Sequence, residues 1–259
     1  MKKIIFAAVL LISNSPVRAQ EKVVLSHAVS MSDFIEISLE LENKPNDYFH
    51  LISIDTISTL TDNGERLTEN RDVDNIFRRA NTLVRYQIPD KKFKYLHIKG
   101  SINYFNAIHD NKSYSDLGVL KNLAKNTNLI DQTIDQKNSG SYFSLLDADA
   151  VKKVFPDLKY NQSSKNNQQK FDFQEFDLIY AYNTGTNKAI FAIVNGEIEF
   201  GYHTLTLADK STGIIYKLVQ LKRGMTRSEK DQIKISLLLI NDRSIKKIPF
   251  EFQKVTIKE

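Results

Sequence analysis

Between residues 35 and 42 the chain alternates without a break: Ile35, Ile37, Leu39 and Leu41 against Glu36, Ser38, Glu40 and Glu42. Successive side chains of a strand point to opposite faces, so this pattern specifies a half-buried strand with one wet face. The same alternation returns over 93–105, with Leu96, Ile98, Gly100, Ile102 and Tyr104 on one side and His97, Lys99, Ser101 and Asn103 on the other. Gly100 interrupts the apolar series and marks a bulge or a close backbone approach.

Turn signals separate further runs of this kind. Lys22 to Val29 is a short apolar strand, and Asn43-Lys44-Pro45-Asn46-Asp47 is turn chemistry ahead of a strand from Tyr48 to Leu60. Asp62-Asn63-Gly64 follows, and Asn-Gly supplies the positive φ that a two-residue hairpin turn requires. Ala189 to Val194, Asn195-Gly196 and Glu197 to Leu207 form the strongest hairpin signal in the chain. Phe171 to Tyr182 reads as an aromatic-rich strand. Asp209 to Gly213 turns into a strand over 214–221, and residues 222–231 are a polar connection. Two strands close the chain, at 233–240 and 248–257, and Pro249 marks the latter as an edge strand or its first residues as a bulge.

Three stretches read as helices. Over 72–84, Val73, Ile76, Phe77, Ala80, Leu83 and Val84 recur at spacings of three and four, with Asp72 as cap. Residues 116–125 turn Leu117, Leu120, Leu123 and Ala124 inward. Residues 147–155 are stopped by Pro156. The run 161–170 has no apolar side chain to offset its ordering entropy and is expected to be a linker or long loop.

The expected fold class is mainly β: antiparallel β-sandwich type blocks with a mixed, polar, α-containing middle segment. The expected divisions are a β-rich domain with one helix at 20–110, a polar helical or linker segment at 111–170, and a second β-rich domain at 171–259. A single larger sandwich drawing strands from both blocks is the alternative.

Residues 1–19 are expected to be a secretory signal peptide. Lys2 and Lys3 precede nine apolar residues, Ile4 to Ile12, then Pro16 and the small-residue pattern Val17-Arg18-Ala19. The apolar run is far short of the roughly 20 residues a membrane span needs. Export to a bacterial periplasm or beyond follows from this reading. The whole chain has 36 basic against 31 acidic residues, a net of +5, but the leader holds three of the basic residues and no acid. The remainder is +2, and the nucleic-acid reading loses its compositional support. Zero Cys excludes a disulfide scaffold, thiolate metal sites and a Cys nucleophile.

The chain carries no nucleophile elbow, no zinc-protease helix and no phosphate or dinucleotide loop. No two of His27, His50, His97, His109 and His203 lie within five residues. His97 reads as a surface residue and His109-Asp110 as a turn. Asp62-Asn63-Gly64-Glu65 and Asp147-Ala148-Asp149 lack the spaced ligand series of a calcium loop and read as a hairpin turn and a helix cap. Glu197 and Glu199 share one strand face and read as solubilising. Tyr180, Tyr182 and Tyr202 read first as core, or else as a platform for sugar or peptide. No catalytic residue, metal or cofactor is expected.

Charge is polarised along the chain: residues 20–110 sum to −3 and residues 175–259 to +3. Lys222, Arg223 and Arg227 cluster around Gly224 and are the candidate partner-binding residues for an anionic surface. Lys246 and Lys247 form a second basic stretch, and loop solvation is the competing explanation of both. The leading functional expectation is an exported, non-enzymatic β module that binds a protein or envelope component. The alternatives are a hydrolase using acidic and His side chains on a β scaffold, and an inhibitor or immunity-type protein whose polar middle segment blocks an enzyme.

Overall fold

A computed structural model describes residues 21–70, 76–130, 142–161, 168–183, 190–196 and 203–258. Of these, 53% are strand and 9% helical, so the chain is mainly β as the alternations require. The first strands are β1 (Val23–Ser30), β2 (Phe34–Leu41), β3 (His50–Thr61), β4 (Glu69–Asn70), β5 (Asn81–Gln87) and β6 (Leu96–Asn106). Then come β7 (Tyr114–Val119), β8 (Tyr142–Leu146), α1 (Ala148–Val154), β9 (Lys159–Asn161), β10 (Gln168–Lys170) and β11 (Leu178–Asn183). The last are β12 (Ile190–Val194), β13 (His203–Asp209), β14 (Ile214–Gln220), α2 (Arg227–Asp231), β15 (Lys234–Leu239) and β16 (Ile245–Val255). The expected signal segment lies outside the described residues.

Every strand pair is antiparallel. The sheet orders are β1-β2-β5-β4, β16-β6-β3, β12-β15-β7 and β13-β14-β11-β8, with a short ribbon of β9 and β10. Apolar residues of the first two sheets meet in one cluster, where Ile35, Ile37 and Leu39 join Ile98, Ile102 and Ile248. Residues of the other two meet in a second cluster, including Phe143, Tyr180, Val219, Ile235 and Leu237. α1 covers the opposite face of the β8–β14 sheet with Val151. A fourth cluster joins the two assemblies: Leu51, Phe105 and Ala107 with Ile193, Leu238 and Ile240.

The chain passes twice between the assemblies, at 107–113 and 240–244, and side-chain amides and hydroxyls lace these passages together. Asn241 Nδ2 donates to the Asn111 carbonyl at 3.2 Å, Ser244 Oγ to the Asn241 carbonyl at 2.8 Å, and Asn111 Nδ2 to the Asn106 carbonyl at 2.8 Å. The last strand, β16, returns to the N-terminal assembly and pairs with β6 from Ile245↔Phe105 onward. Pro249 sits on this edge strand, as its missing N–H requires.

Two helical expectations are corrected. Residues 81–87 are not helix but strand β5, paired with β2 and β4 on its two sides. Thr82, Val84 and Tyr86 face the core in period two, and this β-branched and aromatic series is satisfied by its neighbours on both edges. Arg78 bridges Ile52 of β3, while Asp72 and Val73 lie outside the described residues. Residues 116–125 are also not helix. β7 pairs with β15, Gly118 takes φ 93° at the bulge opposite Ile235, and Leu120–Asn122 make only a 3-10 turn. Leu117, Leu120 and Leu123 do pack inward, as expected. The helix at 147–155 is present as α1, with Asp147 accepting the Ala150 N–H at 2.8 Å. The expected linker at 161–170 is ribbon at both described ends, because backbone pairing of β9 with β10 needs no apolar side chain.

The turn at 43–50 is tied down by a lysine. Lys44 Nζ donates to the carbonyls of Pro45 (2.7 Å), His50 (3.0 Å) and Arg79, fixing the β2–β3 connection to the segment before β5.

On the wet face of β2, Glu36 accepts Arg85 Nε at 2.9 Å and meets His27 Nε2 at 3.1 Å. Burial raises the Glu36 carboxyl pKa, but the bonds and charges of Arg85 and His27 outweigh it and hold it below its ordinary 4.5. A depressed carboxyl stabilises the fold above its unfolded pKa, and that contribution is lost as pH falls through the folded value. Glu36→Gln is therefore expected to lower stability at neutral pH and to converge with wild type at an acid pH where the folded carboxyl is protonated. Urea unfolding at both pH values checks this; an equal loss at both would refute it.

Candidate binding cleft

β14 ends at Gln220, and the chain then makes a loop whose shape follows from two anchors. Leu221 is buried and Met225 half-buried against the second core, which pulls both ends of the loop inward. Asp177, just before β11, grips the loop: Oδ2 accepts the Leu221 N–H at 2.9 Å and Oδ1 accepts Lys230 Nζ at 2.5 Å. Lys222, Arg223 and Gly224 are left outside as an exposed crest.

α2 then begins with a capping box. Thr226 Oγ1 accepts the Glu229 N–H at 3.3 Å, and Glu229 Oε2 accepts the Thr226 N–H at 2.7 Å. The Thr226 N–H and hydroxyl hold the Glu229 carboxyl below its ordinary range, so it stays ionised at the helix start, where the dipole favours it.

The loop walls a cleft of about 330 Å³ lined by Glu175, Asp177, Gln220, Leu221, Lys222, Arg223, Gly224, Met225 and Lys230. Two of the three expected partner-binding residues, Lys222 and Arg223, therefore share one wall. Arg227 is the first residue of α2, exposed and outside that lining. The sequence pattern does not single out Lys230, Glu175 or Asp177. The Thr226-x-x-Glu229 pattern is a readable helix-start signal that would have placed Lys230 one turn on; nothing local marks Asp177.

Chemically the cleft offers cations at its mouth, and Asp177 pairs with Lys230 at its side. A second cleft, of about 270 Å³, lies between α1 and residues 171–174 and is lined in part by Asp149, Lys152 and Phe173. Tyr180 is buried beside Phe143 and stacks on Tyr182, so both belong to the core side of their strand; Tyr202, Glu197 and Glu199 lie outside the described residues.

The histidines are dispersed. His27 meets Glu36, His50 meets Asp47 at 2.7 Å, His97 lies edge-on to Tyr95, His109 edge-on to Tyr114, and His203 is on β13. Asp47 also accepts the Phe49 N–H at 2.9 Å, so the Asp47–His50 pair closes the turn before β3. Among the described residues no three His, Asp or Glu side chains are grouped to hold a metal ion, and no helix is long and apolar enough to cross a membrane. Compared with known proteins, the chain matches no family model, no curated protein and no solved structure at a significant level.

Proposed function

We propose that the protein is an exported bacterial β module that acts without catalysis, binding an anionic protein or envelope component in the periplasm or cell envelope. The observation that carries this reading is the basic crest: Lys222 and Arg223 stand exposed side by side at the mouth of the cleft. The leader-like N-terminus supports export. The near-neutral charge of the remaining chain supports a local basic contact over a nucleic-acid groove. Antiparallel sheets, read as sandwich layers, hold such a loop rigidly at one end, as binding loops on β scaffolds are held.

Binding through exposed cations is screened by salt, over a Debye length of about 10 Å at 0.1 M. The protein is expected to sediment with a bacterial envelope fraction at low salt. The double variant Lys222→Glu, Arg223→Glu should lose at least about tenfold of that retention with an unchanged circular dichroism spectrum. Retention that ignores both the double variant and salt would sink the proposal.

A further inference from the structure

An edge strand presents unpaired N–H and C=O groups, and proteins normally blunt it with a bulge, lysines, proline, short length or a covering segment. The described edges follow that rule, with one exception. β1 has a bulge at Leu25/His27 and is bonded at its end to Lys258. β3 has a bulge at Asp55 and is covered at Ile52 by Arg78. β16 carries Lys246, Lys247, Pro249 and a bulge. β7 has its bulge at Gly118, and β8 is covered by Asn126 and Leu129. β4, β9, β10 and β12 are two to five residues long.

Among the described residues β13 has none of these devices. His203–Asp209 runs seven residues in unbroken register with β14, from His203↔Gln220 to Asp209↔Ile214, and holds no Lys, Pro or Gly. Among the described residues it pairs with β14 alone. Thr204, Thr206 and Ala208 are exposed on one face, while Leu205 and Leu207 lean on the apolar cluster under α1.

The sequence of this strand is also close to its own mirror. Turned about Thr206, an antiparallel copy sets Thr206 on Thr206, Leu205 on Leu207, Thr204 on Ala208 and His203 on Asp209. Each pair matches in kind: hydroxyl with hydroxyl, leucine with leucine, small with small, imidazole with carboxylate. Such cross-strand pairs are the unit of sheet stabilisation, and a self-complementary patch is what a two-fold interface needs.

We propose that β13 pairs with β13 of a second copy of this chain, antiparallel about a two-fold axis at Thr206, joining two four-stranded sheets into one continuous sheet. The basic crest adjoins Gln220, which pairs with His203, so the two crests fall at opposite ends of the joint. The pairing does not depend on what the crests bind.

Sedimentation equilibrium is expected to show a dimer with a micromolar dissociation constant, because a strand-to-strand contact buries little area. Thr206→Lys sets two ammonium groups on the axis and should weaken the dimer at least about tenfold. Register is read with cysteines, which the chain lacks. Opposed residues of antiparallel strands have Cα atoms about 4.5–5.5 Å apart, within disulfide reach. Under mild oxidation Thr206→Cys should cross-link with itself. Thr204→Cys should cross-link with Ala208→Cys in a mixture, but poorly with its own kind. A monomer at about 100 μM, or a dimer indifferent to Thr206→Lys, or cross-linking without this register, would each overturn the proposal.

Discussion

Gly100→Ala is expected to abolish folding or to cost more than about 4 kcal/mol, the range reserved for a lost core or a steric collision. The reason lies in the strand beside it. In β3 the residue Asp55 is bulged out between Ile54↔Ile102 and Thr56↔Ser101. The bulge is held by Asp55 itself, whose Oδ2 accepts Ser101 Oγ at 2.8 Å and whose Oδ1 accepts Lys247 Nζ at 2.9 Å. It drives the backbone of Thr56 and Ile57 against Gly100. A Cβ there would lie 2.9 Å from the Thr56 carbonyl carbon and 3.0 Å from Ile57 Cα, and closer still to the Thr56 oxygen. These are backbone atoms of the β3–β6 ladder, and β6 is held by β16 on its other side, so relief requires the ladder itself to shift. Gly64→Ala is the contrasting control: a Cβ at that turn meets nothing within 4 Å, and only its φ of 81° penalises the change, by about 1–2 kcal/mol. Expression with circular dichroism and urea titration compares the two. A Gly100→Ala protein as stable as Gly64→Ala would contradict the close approach.

Phe105→Ala should cost about 3–5 kcal/mol, a large share of the 5–15 kcal/mol typical of a whole domain. Phe105 is fully buried in the cluster that joins the two assemblies, with Leu51, Ala107, Ile193, Leu238 and Ile240, and its ring meets Phe77 at 6.1 Å in an edge-on contact. Removing it leaves a cavity in the cluster through which the two assemblies pack on each other. The loss should therefore appear as reduced coupling as well as reduced stability. Urea unfolding of the variant is expected to broaden or split into two transitions with lower slopes. A single sharp transition with the wild-type slope and a loss under about 1 kcal/mol would show that the joint does not couple the assemblies.

Much of the β pattern was legible because it is local. The alternation of Ile35 to Leu41 is β2, the Gly100 interruption is the close approach, Asp147 caps its helix, and Asp209-Lys210-Ser211-Thr212-Gly213 is the β13–β14 turn. In that turn the Thr212 and Ser211 hydroxyls hold the Asp209 carboxyl down to about 2, so the turn stays closed through the whole neutral and mildly acid range. The misread stretches share one cause. Ile76, Phe77, Ala80, Leu83 and Val84 fit a helical spacing although only Leu83 and Val84 belong to β5, and Leu117, Leu120 and Leu123 fit inward packing in either form. Partner strands decided both, and partners are not visible in a local window. The same limit hid the cleft. Lys222 and Arg223 could be seen as a cluster, but Asp177, which shapes the loop, bonds to residues 44 and 53 positions away.

The pairing of β16 with β6 has a consequence for the order of events during synthesis. A chain made from its N-terminus exposes β6 long before β16 exists, so the first assembly waits with one open ladder while everything from β7 to β15 emerges. Its core lacks Ile248, Phe250 and Val255 throughout that interval. The first assembly cannot finish alone, and the late arrival of one strand makes its completion a single closing step, slow by virtue of its sequence separation.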